Sequence, residues 1–205
     1  MSADVTGIVV AGGHSTRFGD REKALAELDG EPMLRRVADA LSTATDEIVV
    51  NCRSDQREGF AAALAGVTAD VRFAIDEETG EGPLAGLGTA LSTVESEYAV
   101  VLGCDMPLVD PDALSALLDD LEKGDADAVV PRSDGGAEPL HAAYRVGSTA
   151  TAAVAALDGD ERSLRALLDR LSVRYLDVET SAVSPRSLTS VDTRARLEEL
   201  DGDGG

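Results

Sequence analysis

A chain of 205 residues, 43% of them hydrophobic, is long enough for one ordinary domain with a large core, and that composition excludes wholesale disorder. Lys and Arg total 18 against 39 Asp and Glu, a formal net charge of −21; such a surface repels nucleic acid and anionic lipid, so no nucleic acid and no membrane is expected as a partner. Lys23 and Lys123 are the only lysines, and because concentrated salt screens self-repulsion, a halophilic host is expected.

In chain order, Val5–Ala11 reads as a strand. Pro32 stands at a first helical position, and Leu34, Val37, Ala38 and Leu41 follow at the i, i+3, i+4, i+7 spacing. Glu47–Asn51 and Val71–Ile75 predict two more strands. Pro83–Val94 predicts a helix with Leu84, Leu87, Leu91 and Val94 on its stripe. Tyr98–Gly103 is a strand, Asp110 caps a helix opened by Pro111 with Leu114, Leu117, Leu118 and Leu121 on one face, and Ala128–Pro131 is a strand. Beyond Pro139, Leu140–Val146 reads as a strand, Ser163–Leu171 as a helix, Val173–Val178 as a last strand and Thr193–Leu200 as a closing helix. Strands alternating with helices, at least two of them apolar on both faces, predict an α/β fold with a mostly parallel central sheet. One Rossmann-like domain is expected over residues 1–200, with a disordered polar tail over 201–205.

The beginning, Met1-Ser2-Ala3-Asp4, carries an acid where a signal peptide has its basic region, and no uncharged stretch approaches the ~20 residues that span a bilayer. Cys52 and Cys104 form no CxxC pair, and His14 and His141 are the only histidines, so clustered zinc ligands are missing and a reduced, cytoplasmic setting fits.

In an open α/β sheet ligands bind beyond the carboxyl ends of the strands. After the first strand comes Ala11-Gly12-Gly13-His14-Ser15-Thr16-Arg17-Phe18-Gly19, then Asp20-Arg21-Glu22-Lys23. Paired glycines let backbone N–H groups approach a ligand, and Arg17 and Lys23 add permanent positive charge, which together suit a polyphosphate. This is neither a GxGxxG fingerprint nor a P-loop with G-K-[ST]. Asp105, in Gly103-Cys104-Asp105-Met106-Pro107, follows the fourth strand; since Asp110 already caps the next helix, a Mg²⁺ ligand is the stronger reading of Asp105. Asp76 has the analogous place after the third strand, as a ligand or as one acid of the solvated run Asp76-Glu77-Glu78. Asn51 after the second offers its amide to a base or ribose, or serves a turn. The cysteines read as small buried residues and His141 as a pocket-wall or structural residue, with no Ser-His-Asp arrangement in view.

Val10-Ala11-Gly12-Gly13-x-Ser15-x-Arg17-Phe18-Gly19 followed by Glu22-Lys23 resembles the LAGGxSxRMG…DK signature of a class of nucleotidyltransferases. With Gly82-Pro83-Leu84-Ala85-Gly86 and Gly103-Cys104-Asp105-Met106-Pro107, it resembles the molybdenum cofactor guanylyltransferase family, over about 7–197. The resemblance implies a single three-layer α/β/α domain like those of nucleotide-diphospho-sugar transferases, and transfer of GMP from GTP to a molybdopterin-type phosphorylated acceptor with Mg²⁺ as cofactor. It places Val10, Ala11 and Gly12 along the GTP site, Lys23 and Arg17 on the triphosphate, Asn51 and Asp76 on the nucleotide, and Mg²⁺ on Asp105. Phe18 replaces the usual Met and Glu22 the usual Asp. Leu188-Thr189-Ser190-Val191-Asp192-Thr193-Arg194 stands where the family has a pair of asparagines and Thr-Pro, in a segment associated with the acceptor. An adenosylcobinamide-phosphate guanylyltransferase, a molybdopterin cytidylyltransferase and a non-catalytic nucleotide-binding protein are the alternatives.

Overall fold

The computed structural model describes residues 4–13, 18, 22–77, 81–159, 161–179 and 181–202. The first strand, β1 (Val5–Val10), is apolar on both faces: Val9 packs into one core, Ile8 and Val10 into another. A 3₁₀ turn at Lys23–Leu25 leads into a two-residue hairpin, β2 (Glu27–Leu28) and β3 (Glu31–Pro32), whose turn residues Asp29 and Gly30 have φ of 52° and 77°. These are the positive angles that a tight antiparallel connection needs. Helix α1 (Met33–Leu41) follows with Pro32 as its N-cap, so it begins one residue later than expected.

The chain continues through β4 (Glu47–Cys52), α2 (Arg57–Ala63), β5 (Asp70–Ile75), α3 (Pro83–Leu91) and β6 (Tyr98–Gly103). Helix α4 (Pro111–Lys123) begins as its sequence implies: the Asp112 N–H donates to the Asp110 side chain at 3.0 Å, and Pro111 holds the first position. Then come β7 (Ala128–Ser133), β8 (Gly136–Ala137), β9 (His141–Arg145), α5 (Val146–Leu157), α6 (Leu164–Leu168), β10 (Val173–Asp177) and α7 (Arg194–Gly202). Two helices, α2 and α5, lie where the sequence reading has none. In α5 nearly every residue is small or apolar, so no polar face marks the helical period. Helix α7 runs on through Gly202, two residues into the stretch read as tail.

The main sheet has the order β10-β7-β9-β6-β1-β4-β5, with β8 paired to β7. All pairings are parallel except those of β9 with β6 and β7 and of β8 with β7. Helices α1, α2 and α4 cover one face, packing Leu34, Phe60 and Leu114 against Val9, Val50 and Val100. Helices α3, α5 and α6 cover the other, packing Leu84, Ala153 and Leu167 with Ile8, Val49 and Val101. This is the three-layer α/β/α arrangement, and strands buried on both faces explain the unbroken Val and Ile runs. No helix among the described residues is long and apolar enough to cross a membrane.

One buried polar contact ties the C-terminal part of the chain to the sheet. His141, fully buried on β9, has Nε2 3.3 Å from Ser187 Oγ, and that oxygen also accepts the Asp110 N–H at 3.0 Å. Nδ1 is buried without a partner among the described residues. Burial pushes the ring's pKa down to about 4. Between pH 6.5 and about 4 the unfolded chain therefore takes up a proton that the folded chain refuses, so stability falls as pH drops through that window. At 1.36 kcal/mol per pH unit the loss amounts to about 3 kcal/mol. Urea unfolding across a pH series is expected to show this slope, and His141→Leu is expected to flatten it relative to the parent protein.

Candidate active site

The site begins with strand register. Val10, the last residue of β1, lies level with Asn51 on β4 and with Gly103 on β6, so three neighbouring strands end on one line. Asn51 in turn pairs with Ala74, which brings Asp76, just past β5, to the same edge. The chain order reverses across β1, since β4 and β5 build outward on one side and β6 lies on the other; in open α/β sheets the ligand crevice opens at such a reversal. A cavity of about 350 Å³ lies there, and Val10, Ala11, Gly12, Gly13, Lys23, Asn51, Asp76 and Asp105 all line it. Every expected site residue is thus brought together except Arg17, which lies outside the described residues, as does His14.

On the β4 side the wall is built from close approaches. Asn51 Nδ2 donates to Asp76 Oδ1 at 2.6 Å and more weakly to the Ala74 carbonyl at 3.4 Å, which sets the orientation of the amide. Its Oδ1 is buried and has no partner among the described residues. A Cβ on Gly86, in the second turn of α3, would lie 2.3 Å from that Oδ1, and one on Gly12 would lie 2.3 Å from Asp76 Oδ2 and 3.0 Å from Asn51 Oδ1. A side chain at either place would have to push the Asn51 amide or the Asp76 carboxylate aside. Asn51 and Asp76 thus offer hydrogen-bond acceptors at one end of the cavity.

At the β6 side, Lys23 Nζ is bound by Asp105 Oδ2 at 2.8 Å and by Asp192 Oδ1 at 2.7 Å. The sequence suggests Lys23 and Asp105 facing each other across a ligand; they are in direct contact. Burial alone would lower the lysine's pKa, but the charges and hydrogen bonds of Asp105 and then Asp192 outweigh it and hold the ammonium form more firmly. Asp192 is carried here by the neighbouring backbone, where the Val191 N–H donates to the Asp105 carbonyl at 2.8 Å. Glu138 lies near enough that burial and the Asp105 charge both raise its pKa.

Sequence reasoning missed three participants. Asp192 sits in the segment noted for its departure from the family pattern, but nothing local places it on a lysine 169 positions away. Arg53 and Gln56 follow β4: Arg53 binds Glu22 Oε1 at 2.6 Å, and Gln56 Nε2 binds Glu22 Oε2 at 2.7 Å. A lone arginine at a buried strand tip in so acidic a chain is the one signal that could have pointed there. Burial opposes the Arg53 charge, yet its hydrogen bonds to the Asp55 and Glu22 carboxylates more than compensate and raise its pKa. Cys52 is buried as expected and Cys104 is half-buried: desolvation, with the Asp105 charge, pushes the Cys104 thiol up to about 12, and burial with Asp76 pushes Cys52 to about 11. Neither supplies a thiolate nucleophile near neutral pH.

The family model described as the MobA-like NTP transferase domain matches residues 7–175. The chain belongs to that family. A probable molybdenum cofactor guanylyltransferase of Natronomonas pharaonis is 44% identical over 198 residues, which are 94% of this chain and 95% of the relative. A protein of the same description from Haloferax mediterranei is 40% identical over 171 residues, 83% of this chain and 80% of its own. Among solved structures, the molybdopterin-guanine dinucleotide biosynthesis protein A of Archaeoglobus fulgidus superposes with a TM-score of 0.77 at 26% identity, covering 97% of each chain. Two of the departures from the MobA-like signature have a structural place: Phe18 is buried with Met33 and Val191, and Glu22 reaches Arg53 and Gln56.

For a member of this family, Gly86→Ala is a sharp probe of the β4 wall. Alanine is the better helix former by about 1 kcal/mol, so α3 keeps its fold. Its Cβ displaces the Asn51 amide, and affinity for a nucleoside triphosphate is expected to fall by roughly tenfold or more, as for a lost buried hydrogen bond. Calorimetric titration beside a circular dichroism melt reads the two effects separately.

Proposed function

We propose that this chain transfers GMP from GTP to molybdenum-bound molybdopterin, with release of pyrophosphate and with Mg²⁺ required. The observation that carries the reading is the Lys23–Asp105 pair, 2.8 Å apart, in which the 3₁₀ turn brings Lys23 to the residue just past β6, beside the Gly12-Gly13 backbone at the tip of β1. A carboxylate and an ammonium at one edge of a glycine-walled cavity suit a polyphosphate and its counter-cation. The comparisons with molybdenum cofactor guanylyltransferases support the choice of donor and acceptor.

The base end of the cavity favours guanine. Asn51 Oδ1 is an unpartnered acceptor and Asp76 Oδ2 lies beside it, whereas guanine's pairing edge carries the N1–H and N2–H₂ donors. An acceptor pair at that place leaves cytosine's ring nitrogen and carbonyl without donors.

Asp105 would hold Mg²⁺ together with phosphate oxygens, and its carboxylate already takes a cation, the Lys23 ammonium, at the cavity wall. When bound, the ion supplies Lewis-acid polarisation of the phosphate being transferred. In the reaction a terminal phosphate oxygen of the acceptor attacks the α-phosphorus, a new P–O bond forms, and the bond to the β-phosphate oxygen breaks. Charge moves onto the departing pyrophosphate. Lys23 exchanges carboxylate contacts for phosphate oxygens and neutralises that charge, joined by Arg17 from the signature, while the Gly12 and Gly13 amides hold the triphosphate in line. No side chain acts as a nucleophile, because the attacking oxygen is already anionic.

Purified protein given GTP or CTP with Mg²⁺ and the molybdopterin acceptor is expected to release pyrophosphate with GTP and much less with CTP. Asp105→Asn is expected to lower that turnover by ~10²–10³ or more with little change in melting temperature. Pyrophosphate release that prefers CTP, or that survives Asp105→Asn at the parental rate, contradicts the reading.

We also propose that the enzyme works in the cytoplasm of a cell with concentrated internal salt. Both cysteines are free thiols, and the charge of −21 carries a repulsion that salt screens with a Debye length of about 3 Å at 1 M. The midpoint of thermal unfolding is expected to rise steeply as KCl increases from 0.1 M to 2 M, and a flat dependence speaks against the salt reading.

A further inference from the structure

Arg53 has no place in the nucleotide signature, yet it is the only buried arginine among the described residues. All five of its guanidinium N–H donors are used. Nη1 donates to the Gly13 carbonyl at 2.8 Å and to the Gly12 carbonyl at 3.2 Å. Nη2 donates to Glu22 Oε1 at 2.6 Å and Asp55 Oδ2 at 3.2 Å, and Nε donates to Asp55 Oδ1 at 3.1 Å. A guanidinium has no sixth donor, so Arg53 is not available to hold a ligand itself.

Its partner Gln56 extends the pattern. Gln56 Oε1 accepts the Arg53 backbone N–H at 2.8 Å, and its Nε2 donates to Glu22 Oε2 at 2.7 Å and to the Ala11 carbonyl at 3.4 Å. Three successive carbonyls, Ala11, Gly12 and Gly13, are therefore all drawn to one side by residues that follow β4. A trans peptide is planar, so its C=O and N–H point in opposite directions. Pulling the Ala11 and Gly12 carbonyls toward Gln56 and Arg53 turns the N–H groups of Gly12 and Gly13 away from them. Both glycines line the cavity, and neither N–H meets a protein acceptor among the described residues. Glu22 completes the device: it grips Arg53 and Gln56 together and is the residue immediately before Lys23.

We infer that Arg53, braced by Gln56 and Glu22, is a positioning residue that locks the Gly12 and Gly13 amides toward the triphosphate and fixes the base of Lys23 against the same frame. Glycine is the residue with most backbone freedom to lose, so an unbraced pair would have to be ordered anew by each ligand, which weakens binding and loosens alignment. The inference rests on the nucleotide reading above and adds which part of the nucleotide the brace serves: the phosphates, not the base or ribose.

The experiment compares GTP with guanosine on the same proteins by calorimetry, alongside kcat and KM. Because Arg53→Met alone leaves the Glu22 charge without its cationic partner, the charge-matched double variant Arg53→Met/Glu22→Gln is the main probe, with Arg53→Lys as the conservative one. Gln56→Leu, which removes no charge, stands in where the Arg53 variants fail to fold. The double variant is expected to raise the Kd for GTP by ten- to a hundredfold, to leave the Kd for guanosine within about twofold, and to lower kcat, with Gln56→Leu showing a smaller change of the same kind. Arg53→Lys, which restores the charge but not the fork of donors, is expected to recover only part of the loss. A folded variant whose preference for GTP over guanosine equals that of the parent overturns the inference. So does an equal loss for both ligands, which would make Arg53 a general prop of the fold. If the parent protein binds neither ligand, the nucleotide reading fails first and the brace has nothing to present.

Discussion

Level ends of β1, β4 and β6 are the constraint on which the rest of this molecule depends. Because Val10 pairs with Asn51 on one side and with Gly103 on the other, the residues that follow each strand emerge at one height and converge. A slip of one residue in either pairing would turn every side chain of that strand to the opposite face, burying the polar ends and exposing Val and Ile. The apolar runs that build two cores thereby also set the coordinates of a polar site that contains almost none of them.

Within that frame the molecule's scarce cations are set among its carboxylates. The surface is overwhelmingly anionic, yet at this edge the chain spends one of its two lysines and its only buried arginine among the described residues. Each is held by carboxylates on one side and turned to different use: Lys23 between Asp105 and Asp192, Arg53 between Glu22 and Asp55. The acids raise the pKa of both cations where burial alone would lower it.

Much of this was legible before any coordinates. Strands with Val and Ile on both faces, Pro at helix starts and the Asp110 cap marked the alternating fold, because each feature is local and obeys a short period. The glycine pair, Lys23, Asn51, Asp76 and Asp105 were legible because a strand tip is itself a position readable from the pattern. Helix α5 was not, since an element of small apolar residues has no contrast between its faces. Asp192 and the Arg53–Gln56–Glu22 brace escaped for another reason: their meaning lies in contacts across 169, 31 and 34 positions, and no local preference encodes a partner so distant.

The meeting of Val191 and Asp192 with the tip of β6 has a consequence for biogenesis. Every strand of the sheet is already translated when residue 177 leaves the ribosome, yet the carboxylate that shares Lys23 and the backbone bond to Asp105 arrive only fourteen to fifteen positions later. A nascent chain can thus complete its sheet while Lys23 still lacks its second carboxylate anchor.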